Sequence, residues 1–259
     1  MYPKFFSKNF VDENDAIVVT SGDDVKKFLY DRDNSTQWKS LGETDEDGDY
    51  SCQIEVDFRS DNFSPVVCNR TFDTLILLNA NLKQFKLQYW TGSSWADISQ
   101  TIKTTNSNSN VVIEFIDDPV TSSKIKLLMD KTIVANQEKK IGEFKVLEHK
   151  VTLINTLAGT YNRGEIKIGG RDRLKDGDLS QWFTARKATF TNTYANISHT
   201  IRTALKQVKL EGDLDFLTFY PDGDKWIDEI YEGIWVNTWN ERYDPKTTFY
   251  SITVEFEER

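Results

Sequence analysis

The sequence predicts a mainly β chain of two domains. One is a β-sandwich over residues 1–150, the other a β domain with one α-helix, 198–211, over residues 151–259. Three observations carry this prediction. Short apolar runs of about 5–8 residues with partial alternation recur through the first 150 residues, as in all-β sandwiches and barrels. Beyond residue 150 the texture turns polar and irregular, with scattered apolar islands. Only one segment, near residue 200, has a strong helical period.

The first-half strands are SCQIEVDFRS, FDTLILLNA, QFKLQYWTG, NVVIEFIDD, SKIKLLMD and EFKVLEHKV. Polar or turn-forming clusters such as DEDGD, TGSS and TNSNSN divide them. After residue 150, VTLINTLAGTYNRGEIKIGG reads as two strands with Gly-containing turns. In SHTIRTALKQVKLEG, Ile201, Ala204, Leu205 and Val208 fall on one helical face. Ser198 suits its N-cap and Gly212 its C-terminal stop. DFLTFYPDG, EIYEGIWVNTW and FYSITVEFEE then read as three closing strands. A helix leading into three strands makes a compact unit, which sets the boundary near residue 150.

The chain has 259 residues, room for one large or two ordinary domains. Its net charge of −9 speaks against a nucleic-acid-binding surface, which needs clustered Lys and Arg. The opening MYPKFFSKNFVDENDAIVV lacks the apolar run of a secretory signal. No stretch approaches the roughly 20 apolar residues of a membrane helix. Cys52 and Cys68 are too few for a disulfide framework or a four-cysteine zinc site. Two free thiols are the expectation for a protein made in cytosol, and a single pair is the alternative.

The stretch LYDRDNSTQWKS, residues 29–40, sets an apolar ring, Trp38, just after an acidic, polar loop. Asp31, Asp33 and Thr36 are residue types that bond nearby backbone in turns. LYDRDNSTQW resembles a loop of the coagulation-factor/discoidin family of galactose-binding-like jelly rolls. QIEVDF, FDTLILL, LKQFKLQYWTGSSWADI and SSKIKLLM followed by IGEFKVLE resemble the later strands of that family, in the same order. The resemblance spans about residues 10–150. It implies that Trp38 plugs the end of the sandwich. It also implies a possible structural calcium at Asp31, Asp33, Thr36 and Glu143, although Arg32 stands where the family usually has Gly. Finally, it implies a glycan-binding capacity through end loops, with Tyr30, Trp90 and Trp95 as stacking candidates. Tyr30 and Trp95 also fit core positions.

The second half resembles distal tail and tail-tube-like phage proteins in LDFLTFYPDGDKWIDEIYEGIWVNTWNERYDP and FYSITVEFEE. That resemblance implies a non-enzymatic tail or baseplate part, located in the virion and made in the host cytoplasm. It would assemble as a homo-oligomeric ring alongside other tail or baseplate proteins. Trp226, Tyr231, Trp235, Trp239 and Tyr243 crowd into eighteen residues and are the interface candidates; a monomer's core is the bland alternative. The strand EIYEGIWV is apolar on both faces and is expected to be buried on both, either in a core or against a neighbour. RGEIKIGGRDRLKDGD reads as a charged, Gly-rich arm. In such tail proteins the ring-forming domain precedes the sandwich, whereas here the sandwich comes first.

Catalysis finds no carrier. The two histidines, His149 and His199, lie far apart and carry no G-x-S-x-G, H-E-x-x-H or Walker-type motif. Acidic pairs are plentiful among the 41 Asp and Glu, so the functional alternatives are a structural virion protein, a carbohydrate-binding module protein that recognises a host glycan, and a glycan-cleaving enzyme with a carboxylate pair.

Overall fold

The computed structural model describes residues 4–12, 15–31, 36–44, 52–60, 66–153, 157–158, 162–173, 179–212, 217–220 and 230–258. Of these, it describes only the backbone for 42–44, 157–158, 162–173, 179–188, 211–212, 217–220, 231 and 258. The chain forms two compact units, residues 9–149 and residues 1–8 with 150–259. The first eight residues thus belong with the later unit, through strand β1 (Lys4–Phe6). The sandwich does not simply precede the second unit; it is inserted after that unit's first strand.

The sandwich contains β2 (Ala16–Val19), β3 (Trp38–Thr44), β4 (Cys52–Asp57), β5 (Arg70–Phe72), β6 (Thr74–Leu78), β7 (Leu82–Trp90), β8 (Trp95–Asp97), β9 (Val111–Glu114), β10 (Val120–Ser122), β11 (Lys124–Thr132), β12 (Glu138–Ile141) and β13 (Glu143–Leu147). One sheet runs β2-β4-β11-β7-β8 and the facing one β13-β6-β9, with β3/β12 and β5/β10 as short antiparallel pairs. This is the jelly-roll sandwich expected from the sequence. Alternation sets the core. Ile54 and Val56, Leu87, Ile125 and Leu127 come from the larger sheet, and Leu75, Leu77, Phe144 and Val146 from the smaller. All join one apolar cluster, as the inner faces of packed sheets do.

At one end of the sandwich, a 3-10 helix (Asp23–Leu29) follows β2. Gly22 enters it with φ 73°, and a Cβ there would lie 2.0 Å from the Lys39 carbonyl oxygen. Trp38 is 0% exposed, so its role is the structural plug. Both cysteines are thiols, Cys52 buried and Cys68 half-buried.

At the opposite end, the carboxylate of Asp15 accepts the backbone N–H of Arg59 at 2.8 Å and of Asp12 at 3.1 Å. Burial nevertheless pushes its pKa from 3.8 up to about 7, against the pull of those two bonds and of Arg70. The folded state then holds a proton that the unfolded chain has released. Asp15 therefore contributes stability that is fully present below pH 3.8 and lost as pH rises through about 7. The melting temperature of Asp15→Asn should depend less on pH than wild type between pH 4 and 8. Parallel slopes in thermal melts of the two proteins would refute this.

The second unit adds β14 (His149–Thr152), β15 (Leu157–Ala158), β16 (Asn162–Arg173), β17 (Leu179–Ile197), α1 (His199–Gly212), β18 (Leu217–Tyr220), β19 (Tyr231–Trp235), β20 (Glu241–Asp244) and β21 (Phe249–Glu258). Its sheet runs β14-β1-β18-β19-β21-β17-β15, with β16 beside β17 and β20 beside β21. Ser198 caps α1 through Oγ, which accepts the Ile201 N–H at 3.3 Å. Leu205 and Val208 are buried on the predicted face, with Ile201 and Ala204 packed alongside. They cover Phe190, Tyr194, Trp235, Ile252, Val254 and Phe256. β19 meets the core half of the expectation on one face alone. Trp235 faces the core, while Ile234 and Val236 on the other face are exposed.

Candidate functional site

The sugar-stacking candidates fall at opposite ends of the sandwich. Tyr30 follows the 3-10 helix at one end, half-buried and packed on the core cluster. Trp90 and Trp95 close the β7–β8 hairpin at the other. The core position expected for Trp95 is not what the strand register gives. Phe85 and Leu87 point into the core, so Lys86, Gln88 and Trp90 take the outer face. Trp95 pairs with Trp90, and Asp97 with Gln88, on that same face.

The two tryptophans are half-buried and meet edge to face, with ring centroids 5.4 Å apart and planes at 64°. The Lys126 ammonium lies 4.1 Å from the Trp95 ring centroid, a cation–π contact. Polar groups crowd round them. Asp97 accepts from Gln88 Nε2 at 2.6 Å and Lys86 Nζ at 2.9 Å. Those bonds, the Gln88 one foremost, hold its carboxyl below the usual carboxylate range. Lys126 pairs with Glu55 at 3.3 Å and Lys124 with Asp57 at 2.9 Å. Ser122 Oγ braces the hairpin by accepting the Trp90 N–H at 3.1 Å and donating to the Trp90 carbonyl at 2.9 Å. The result is a charged, half-exposed sheet face around an aromatic pair. Sequence reading missed Gln88, Asp97 and Lys126. Their signal was parity, since all three are out of phase with the core residues of their own strands or hairpin partners.

The calcium candidates are only partly brought together. Thr36 Oγ1 donates to Asp31 Oδ2 at 2.7 Å. A Cβ on Gly142 would lie 3.5 Å from the Thr36 carbonyl oxygen, which brings the start of β13 to the same end. The carboxylate of Glu143, however, is buried 3.2 Å from the Lys145 ammonium, so a protein cation already sits beside it. Asp33 lies outside the described residues. Among the described residues no three His, Cys, Asp or Glu are grouped to hold a metal. Calcium takes roughly six to eight oxygens, and of this set the described residues join Asp31 and Thr36 directly.

Of the interface candidates, Trp226 lies outside the described residues and Tyr231 is described by backbone alone. Trp235 is 2% exposed and stacks on Phe5 at 5.9 Å, which makes it a core residue. Trp239 packs against that core, with Lys206 Nζ 5.5 Å from its ring centroid. Tyr243 is 49% exposed and lies 5.1 Å from the Tyr250 ring. Arg202 Nε donates to Glu241 Oε2 at 2.6 Å, and its Nη2 donates to Oε1. This two-pronged contact holds the Glu241 carboxyl down at about 2.

No protein-family model matches the chain, and no curated protein matches it. Solved structures do. A family 32 carbohydrate-binding module from C. perfringens, in complex with galactose, aligns over 56% of this chain and 99% of its own, at 13% identity and TM-score 0.42. A second Clostridium perfringens module, in complex with GalNAc-β-1,3-galactose, aligns over 54% and 99%, at 17% identity and TM-score 0.41. A chitosan-binding module from a Paenibacillus sp. IK-5 chitosanase/glucanase, in complex with chitotriose, aligns over 51% and 95%, at 17% identity and TM-score 0.39. The likeness concerns architecture over about half of the chain. The tail-like reading of residues 151–259 finds no support in it.

Proposed function

We propose that the sandwich unit recognises a glycan, and that it does so on the outer face of its five-stranded sheet. The observation that carries this reading is the half-buried Trp90–Trp95 pair set among Gln88, Asp97, Lys86 and Lys126. A sugar ring offers an apolar C–H face and a rim of hydroxyls. An aromatic surface takes the first, and a few placed amide, carboxylate and ammonium groups orient the second. Trp95 is the stacking residue, and Asp97 accepts a hydroxyl with Gln88 and Lys86 holding it in place.

Calorimetric titration of the full-length protein with galactose, GalNAc-β-1,3-galactose and chitotriose, backed by a glycan array, tests this. Trp95→Ala should weaken binding of whichever glycan is found by about a hundredfold, the loss typical of a central aromatic anchor. Asp97→Asn should weaken it by about tenfold. Both should keep the wild-type far-UV spectrum. No glycan bound by wild type, or equal affinity in Trp95→Ala, refutes the proposal. The alternative is a tail or baseplate part that assembles through residues 151–259. It rests on the sequence resemblance, and it is tested by the mass of the full-length protein in solution.

A further inference from the structure

β16 and β17 are paired from Asn162↔Thr191 to Arg173↔Leu179. On its other edge β17 pairs with β21, and that ladder stops at Thr189↔Glu257. Among the described strands, residues 165–173 and 179–188 therefore have no partner but each other. The ribbon they form extends past the sheet by ten residues of β17, roughly 34 Å at about 3.4 Å per residue. A lone two-stranded ribbon is marginal in water, and each of its free edges is a template for a further strand.

The ribbon is also the wrong charge for the chain that carries it. Residues 162–173 and 179–188 hold six Lys and Arg against two Asp and Glu, whereas the whole chain holds 32 against 41. Its register opposes Lys167 directly to Arg186. Like charges in a cross-strand pair repel and weaken the ribbon unless an anion lies against them. Rows containing Ile166 and Ile168 alternate with this cationic row. A basic ribbon with unpaired edges, on a chain that is otherwise strongly acidic, is complementary to another molecule of the same chain.

We propose that the β16–β17 ribbon is an assembly arm that docks onto an acidic surface of a second copy of this protein. The inference does not depend on glycan recognition. Sedimentation of the full-length protein over a range of concentrations and salt should show association that weakens as salt rises. Lys167→Glu separates assembly from folding. It turns the repulsive row into an attractive one, so the fold should hold or gain stability, while self-association should weaken by about tenfold. Glycan binding by this variant should match wild type. A protein that stays monomeric at low salt overturns the proposal. So does self-association that neither salt nor Lys167→Glu alters. A monomer that instead shifts on a random DNA duplex or RNA strand also overturns it, in favour of a nucleic-acid arm.

Discussion

Gly233→Ala is expected to lower the melting temperature of the helix-containing unit by roughly 10–20 °C, a loss of about 3 kcal/mol or more. Gly233 is buried in β19, which is hydrogen-bonded to β18 on one side and β21 on the other. A Cβ at this position would lie 2.1 Å from the Glu257 carbonyl oxygen and 2.6 Å from the Phe256 ring. Backbone cannot yield as a flexible side chain would, so the substitution must spread the sheet at Trp235 and Phe256, where α1 covers the core. Gly92 is the contrast. It has φ 99° in the β7–β8 turn, and a Cβ there meets nothing within 4 Å. Gly92→Ala should cost only the strain of its dihedral, about 1 kcal/mol. Thermal melts followed by near-UV circular dichroism report both. Equal melting temperatures for Gly233→Ala and wild type would show that the two strands can separate freely.

Trp38→Ala should destabilise the sandwich by about 3–5 kcal/mol, since it empties a fully enclosed indole site at the end of the core. Trp38→Phe should cost much less. Among the described residues the buried indole N–H has no hydrogen-bond partner, so phenylalanine removes a donor left unsatisfied there along with part of the apolar ring. Urea unfolding of the two variants measures the difference. Equal losses would mean that the N–H has a partner after all and that Trp38 is held by polarity as well as by packing.

What could be read from the sequence depended on how local its cause was. Ile54 and Val56 on β4 and Ile125 and Leu127 on β11 show their buried face by alternation within a few residues, and both strands formed as expected. Ile201, Leu205 and Val208 did the same at helical period, and α1 begins one residue after the predicted start. The assignment of residues 1–8 could not be read this way. Lys4–Phe6 carries only three residues of pattern, and its neighbours in the sheet, β14 and β18, lie far along the chain. The exposure of Ile234 and Val236 was hidden for another reason. Alternation says which residues share a face, but not whether a second layer covers that face. At the candidate site, Tyr89 and Trp90 are adjacent aromatics of opposite phase. Only the phase set by Phe85 and Leu87 separates the inward ring from the outward one.

The insertion of the sandwich after β1 also fixes an order of events during synthesis. Phe5 pairs with Phe219, so β1 leaves the ribosome more than two hundred residues ahead of its partner strand. At ordinary elongation rates that wait lasts on the order of 10–40 s. Residues 9–149 need nothing from the later unit's strands for their own pairing, and they can close during the wait. At the sandwich's base, Asn9 Oδ1 accepts the Val146 N–H at 3.0 Å, and the Phe10 N–H donates to the Val146 carbonyl at 3.0 Å. Closure therefore draws the two ends of the inserted segment together. The folded sandwich then acts as a clasp that turns a very distant pairing into a near one, and so shortens the loop that β1 must close to find β18.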